Sequence, residues 1–340
     1  MADMPESQLR EYRSAQDDPA GFDGFWSQTI DSARCHDPDV RLEAHATGLE
    51  TLEVFDISYR GFDGQRVNGW LRVPQGGTAP AGKLPALVQF NGYGAGRGHA
   101  LDDLTWASAG FVQLLMDTRG QGSGRTEDPA GSGPSGGGFL SKGISSPDAY
   151  YYRRVFTDAV RAVDAVRSLG FVDPDRVAAI GNSQGGGIAL AVAGLVPDLS
   201  AVLMQAPFLC DFPRATVITD SPPYPEIADY LRARRNDVGT VHSTLSYFDG
   251  VNFAKRATAP GYFSVGLMDT ICPPSTVFAA YNNYAGKKEI TVWPYNGHDA
   301  GGADDRSAAI KILRSHFSLS GPTVSTKQSA NQAITKIEEA

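Results

Sequence analysis

The segment that most narrows the possible folds runs Val177-Ala178-Ala179-Ile180-Gly181-Asn182-Ser183-Gln184-Gly185-Gly186-Gly187-Ile188-Ala189-Leu190. A short apolar run enters Gly181-Asn182-Ser183-Gln184-Gly185, and an alanine-, leucine- and valine-rich helical pattern leaves it. A G-x-S-x-G pentapeptide between strand and helix is a nucleophile elbow, a turn so sharp that the serine takes a strained backbone conformation. Side chains two positions to either side must then be nearly absent, a need met by Gly181, Gly185 and the adjoining Gly186. The turn lifts the Ser183 hydroxyl above the sheet edge, at a helix N-terminus where the dipole favours developing negative charge.

The rest of the chain fits around that turn. Residues 1–34 are charged, carry Leu9, Tyr12, Phe22, Phe25, Trp26 and Ile30, and predict one or two helices outside the core, the second from about Gly21 to Ala33. Their aromatics need a surface to pack on, either the core or a neighbouring subunit. Val54–Tyr59 and Val67–Val73 predict an antiparallel pair joined by Gly61-Phe62-Asp63-Gly64. From Leu84 the pattern alternates strand and crossover helix, which implies a parallel sheet. Its strands are expected at Leu84–Phe90, Phe111–Asp117, the run before Ser183, Ala201–Ala206, Tyr262–Met268 and Glu289–Pro294. Helices are expected at Tyr150–Leu169, after Ser183, at Pro274–Tyr284 and at Asp304–Phe317. Residues 120–143 form a long loop rich in glycine, serine and proline, and such loops are usually functional or mobile. Residues 208–258 interrupt the rhythm with helical stretches at Pro225–Arg235 and Thr240–Ala254, where a lid or acyl-pocket wall would sit. This divides the chain into a helical extension (1–34), an α/β domain (35–318) and a polar tail (319–340).

Ordinary composition sets limits on partners. A net charge of −8 argues against nucleic acid or an anionic membrane as the principal partner. The longest apolar runs are too short to span a bilayer. The polar start lacks the apolar core of a signal peptide. Cys35, Cys210 and Cys272 are odd in number and far apart, which suggests reduced thiols in the cytoplasm. No H-E-x-x-H, Walker or G-x-G-x-x-G signature stands in its proper context, so neither a metal nor a cofactor is expected.

A serine hydroxyl needs a histidine base, itself oriented by a carboxylate. On the α/β-hydrolase fold, these follow in the order Ser, Asp/Glu, His on loops at the carboxyl ends of successive strands. Asp269 ends the Tyr262–Met268 strand, and His298 lies just past the last strand. The fold expected is therefore an α/β-hydrolase with a mostly parallel, eight-stranded twisted sheet. Asp211, after the strand following the elbow, is the alternative acid, and Asp117 also ends a strand. His99 could approach the site but has the wrong chain order. His36, His45, His242 and His316 lie on other elements. The oxyanion donors expected are the backbone N–H of Gln184 and one from the loop after Phe90, with Tyr93 the best candidate. Arg119 and Gln121 are read as loop organisers near the site, and Cys272 as packing.

The motifs Asp117-Thr118-Arg119-Gly120-Gln121-Gly122, Gly181-Asn182-Ser183-Gln184-Gly185-Gly186-Gly187 and His298-Asp299 together resemble the acetyl xylan esterase/cephalosporin C deacetylase family, carbohydrate esterase family seven. Asp269-Thr270-Ile271-Cys272-Pro273-Pro274-Ser275-Thr276 and Leu9–Trp26 resemble its acid-bearing segment and its N-terminal extension. The resemblance covers about residues 5–318. It implies Ser183, Asp269 and His298 as a triad, Tyr93 and Gln184 as oxyanion donors, and Pro223 as part of the wall of a small acyl pocket that also involves Tyr93. It also implies a cytoplasmic protein assembled as a hexamer. Two positions depart from the family pattern: Asp299 replaces the usual glutamate, and Asn182 stands where glycine is common.

The resulting expectation is a serine esterase that removes acetyl groups from small alcohol-bearing substrates such as acetylated sugars or cephalosporin C. A peptidase or a lactone or thioester hydrolase on the same scaffold is the rival enzyme, and a non-catalytic binding protein the rival without chemistry.

Overall fold

A computed structural model describes residues 3–75, 82–129 and 137–319. Among these residues nine strands form one sheet: β1 (Arg41–Ala44), β2 (Leu52–Arg60), β3 (Arg66–Pro74), β4 (Leu84–Phe90), β5 (Val112–Met116), β6 (Val172–Asn182), β7 (Ala201–Gln205), β8 (Gly261–Gly266) and β9 (Lys288–Trp293). Their order is β1-β2-β3-β5-β4-β6-β7-β8-β9. The first three strands and the β3–β5 contact are antiparallel, whereas β5 through β9 pair in parallel.

Residue pattern explains this division. Helices cover both faces of the parallel strands, so β5 is buried throughout and β4 everywhere except Gln89. Strand β2 instead mixes buried and exposed positions. Strand β1 is exposed at all four residues, so the alternation of Leu42 and Ala44 with Arg41 and Glu43 buries neither side. It exists through backbone pairing alone, Arg41 opposite Ser58 through Ala44 opposite Phe55. The expected count of eight strands is thus corrected to nine.

The chain moves from β4 to β5 on one side and then crosses to β6 on the other. Strands β4 and β6 are neighbours, with Phe90 opposite Gly181. Loops leaving the carboxyl ends of two such strands diverge and leave a crevice, the usual place for a site on an open α/β sheet. Both loops singled out from sequence, 91–94 and the Ser183 turn, leave from this pair.

The N-terminal helices Glu6–Glu11 and Phe22–Arg34 pack onto the core, the first of the two surfaces expected for their aromatics. Leu9, Phe22, Trp26 and Ile30 are all buried in the main cluster. The Trp26 ring lies 5.4 Å from both Phe248 and Phe253, and its indole N–H donates to the Tyr247 carbonyl at 2.8 Å. Burying side chains of this size stabilises the fold by roughly 1.5–3 kcal/mol each. Their packing surface comes from the same chain: Phe248 and Phe253 of the 208–258 segment together with Phe156 of the helix Tyr151–Arg167, whose ring lies 5.9 Å from Trp26.

That segment holds the helices Phe212–Ile218, Pro225–Ala233, Val238–Ser246 and Gly250–Ala254. A single helix was expected over Thr240–Ala254, but the chain breaks at Asp249, whose carboxylate caps the next helix by accepting the Val251 N–H at 2.9 Å. The tail beyond 319 and the parts of the two long loops at 76–81 and 130–136 lie outside the described residues.

Candidate active site

Ser183 links β6 to the helix Gln184–Leu195 with φ 57° and ψ −122°, a conformation that L-residues rarely adopt. The surrounding backbone enforces it. The Ser183 N–H donates to Gln205 O at 3.0 Å, and its carbonyl accepts the Phe208 N–H at 2.9 Å. A Cβ on residue 181 would lie 2.1 Å from the Gly185 carbonyl carbon, and one on residue 185 would lie 2.0 Å from Phe90 O. Only glycine fits at either position.

Asp269 follows β8 and is fully buried. One carboxylate oxygen accepts the N–H groups of Ile271 at 2.8 Å and Cys272 at 3.0 Å. The other lies 2.8 Å from His298 Nδ1. A carboxylate can only accept, so Nδ1 carries the proton, and in the neutral imidazole Nε2 then keeps a free lone pair. Ser183 lies near this group, on the Cys272 side, where its hydroxyl acts on the Cys272 thiol. The ligating atoms of Asp269, Cys272 and His298 lie within 4.8 Å of one another. Burial, reinforced by the Asp269 charge, pushes the Cys272 thiol well above its usual range, so the thiol stays protonated. Sequence reasoning assigned Cys272 to packing, and its place near Ser183 had no local signal.

The alternative acids are engaged elsewhere. Asp211 accepts the Tyr12 hydroxyl and the Ser14 hydroxyl, each at 2.8 Å, and so ties down the N-terminal segment. Asp117 accepts the N–H groups of Arg97, Arg125 and Thr126 and organises the loop after β5. His99 is exposed and accepts the Leu101 N–H. Asp299 is exposed on the turn after His298, where its carbonyl accepts Gln205 Nε2 at 2.6 Å.

The two candidate oxyanion donors lie on either side of the crevice. Among the described residues, no protein acceptor takes up the N–H of Gln184 or of Tyr93. The Gln184 side chain reaches across the crevice, donating to the carbonyls of Asn91 and Gly92 at 3.3 Å and accepting the Tyr152 hydroxyl at 2.8 Å. It also exchanges amide hydrogen bonds with Gln121, at 2.9 and 3.1 Å. Gln121 in turn accepts the Gly94 N–H at 2.7 Å. Arg119 is fully buried and holds Asp158 through two bonds, at 2.7 and 2.9 Å. The tyrosine run 150–152 was visible in sequence, but Tyr152's contact with Gln184 was not.

Pro223 is buried in the 208–258 segment. The next residue, Tyr224, packs on Phe208 at 4.4 Å between ring centres, and Phe208 lies 6.1 Å from the Tyr93 ring. Thr219 and Ser221 bond to Thr270, which seats the same segment on the loop carrying Asp269.

Known proteins resemble this chain in sequence and fold to different extents. The acetyl xylan esterase from Paenibacillus sp. R4 superposes with a TM-score of 0.87 at 38% identity, over 92% of this chain and 99% of that one. Acetyl xylan esterase 1 from Thermoanaerobacterium sp. JW/SL YS485 gives 0.86 at 37% identity, over 93% and 99%. The acetyl esterase Axe7A of Xylanibacter ruminicola is 29% identical over 288 residues, which are 82% of this chain and 63% of that protein. The chain thus spans less than two thirds of that relative's length. With the acetyl xylan esterase (AXE1) family matched from residue 1 to residue 316, the chain belongs to that family.

Proposed function

We propose that this protein is a serine carboxylesterase that removes acetyl groups from small alcohol-bearing substrates, such as acetylated xylo-oligosaccharides or cephalosporin C. The observation that carries the reading is the 2.8 Å pair between His298 and buried Asp269, set beside a serine in an elbow conformation. Ser183 Oγ attacks the acetyl carbonyl while His298 Nε2 takes its proton. Asp269 holds the imidazole in the Nδ1-protonated form and stabilises the imidazolium. The N–H groups of Gln184 and Tyr93 receive the carbonyl oxygen as it becomes negative. His298 then protonates the departing alkoxide, and a water activated by His298 releases acetate and regenerates Ser183.

The test is hydrolysis of p-nitrophenyl acetate, acetylated xylo-oligosaccharides and cephalosporin C by purified protein. Ser183→Ala and His298→Ala should each lose several orders of magnitude in turnover, and Asp269→Asn somewhat less. Greater damage from Asp211→Asn than from Asp269→Asn in folded protein would overturn the acid assignment.

A cytoplasmic location and a hexameric assembly are also part of this reading. The free thiols of Cys35, Cys210 and Cys272 support the first, and the family resemblance supports both. The N-terminal aromatics supply no argument for assembly, because Phe22 and Trp26 are buried within the subunit. Light scattering on the purified protein decides between hexamer and monomer.

A further inference from the structure

One of the two candidate oxyanion donors, Gln184 N–H, is fixed by its helix. The other, Tyr93 N–H, sits on the loop 91–94, whose backbone is held on either side of Tyr93 by Gln184 and Gln121, while the Tyr93 side chain needs its own hold. The Tyr93 phenol supplies that further anchor. It donates to Glu226, with both carboxylate oxygens at 2.7 Å, and accepts the Phe139 N–H at 2.6 Å. Glu226 Oε2 also accepts the Leu140 N–H at 3.0 Å. One carboxylate on the helix Pro225–Ala233 therefore joins the oxyanion loop, the 139–140 backbone and the 208–258 segment.

Space has been made for this carboxylate. A Cβ on residue 138 would lie 2.0 Å from Glu226 Cδ, and Gly138 has a φ of +66° that also favours glycine. Among the described residues no cation pairs with Glu226, so its partners are the phenol and the peptide N–H. The Tyr93 ring is held from its sides by Phe139 at 5.6 Å and Phe208 at 6.1 Å, which leaves its hydroxyl bonds to set its position along the crevice.

We propose that Glu226 is a positioning residue for the esterase reaction. It acts through the Tyr93 hydroxyl to aim the Tyr93 N–H at the carbonyl oxygen of the bound ester, a role that rests on the function proposed above. An oxyanion donor acts on charge that develops only in the transition state, so its misplacement lowers kcat and leaves KM nearly unchanged.

The experiment measures p-nitrophenyl acetate hydrolysis per titrated active site in Glu226→Ala, Glu226→Gln, Tyr93→Phe and the Tyr93→Phe/Glu226→Ala double variant. Glu226→Ala and Tyr93→Phe should each lower kcat about 10- to 100-fold with KM within about twofold of wild type. The double variant should be little worse than either single one, because both remove one linkage. Glu226→Gln keeps an acceptor for the phenol and should recover most of the loss. Inhibition by a methyl trifluoromethyl ketone, which forms an oxyanion on Ser183, should weaken in step with kcat/KM. A merely structural role would lower the titrated fraction and the unfolding midpoint while kcat per site stayed constant. Constant kcat per site in Glu226→Ala and Tyr93→Phe, or fully additive losses, would overturn the proposal. If Glu226→Ala fails to fold, Tyr93→Phe and Glu226→Gln decide on the same criteria. Full activity of Ser183→Ala would instead remove the esterase reading itself.

Discussion

Replacing Gly185 by alanine isolates the contact that sets the crevice width. The new Cβ would lie 2.0 Å from Phe90 O and 2.6 Å from its carbonyl carbon, both backbone atoms that cannot rotate away. Ordinary contact begins near 3.4 Å, so the elbow helix and the end of β4 must separate by more than 1 Å, at an overpacking cost of roughly 1–3 kcal/mol. Phe90 immediately precedes the loop carrying Tyr93, so the displacement passes into the spacing between the Gln184 and Tyr93 N–H groups. A misplacement of about 1 Å costs on the order of 100-fold in rate. The assay is p-nitrophenyl acetate turnover per titrated site, alongside urea unfolding. Gly92→Ala is the control, since a Cβ there meets nothing within 4 Å and should leave kcat near wild type. Folded Gly185→Ala protein with kcat within about threefold of wild type would refute the claim that this contact sets the crevice.

Three further outcomes are expected. Gly24 lies inside the helix Phe22–Arg34 with open space around a Cβ, so Gly24→Ala should raise stability in urea by about 0.5–1 kcal/mol without changing kcat. Burial, with repulsion from Asp211, pushes the Asp249 carboxyl up from 3.8 to about 7. The native state then binds the proton more tightly than the unfolded chain, so its contribution is complete below pH 3.8 and is lost as pH rises to about 7, by at most ~1.4 kcal/mol per pH unit. Stability in urea should fall between about pH 4 and 7 and fall less steeply in Asp249→Asn, whereas parallel slopes would count against the assignment. Acyl length should matter through the wall near Pro223: acetate esters preferred over butyrate, little activity on octanoate, and a relaxed preference in Pro223→Ala. Each added methylene in a roomy pocket would instead gain about 0.8 kcal/mol of apolar burial, so a profile peaking at butyrate would contradict a rigid wall.

The amino-acid sequence by itself determined the elements whose signals are local. The glycines around Ser183 follow from the turn they must make, and the apolar run of β4 from burial on both faces. Asp269 and His298 could be singled out because each follows a strand in a parallel sheet, which brings its loop to the same edge. The tertiary structure decided what no local pattern carries. Strand β1 is exposed along its whole length and forms only because β2 offers a free edge. The aromatics of the N-terminal helix could pack on the core or on another subunit, and Phe156, Phe248 and Phe253 of the same chain supply their cover. Glu226 reads as an ordinary helix-surface acid, yet it meets Tyr93 across 133 positions of sequence. Gln121 and Gln184, 63 positions apart, pair only because β4 and β6 are neighbours although β5 lies between them in sequence. Such contacts join residues distant in sequence, so their partners are fixed by sheet order and not by the residues flanking either one.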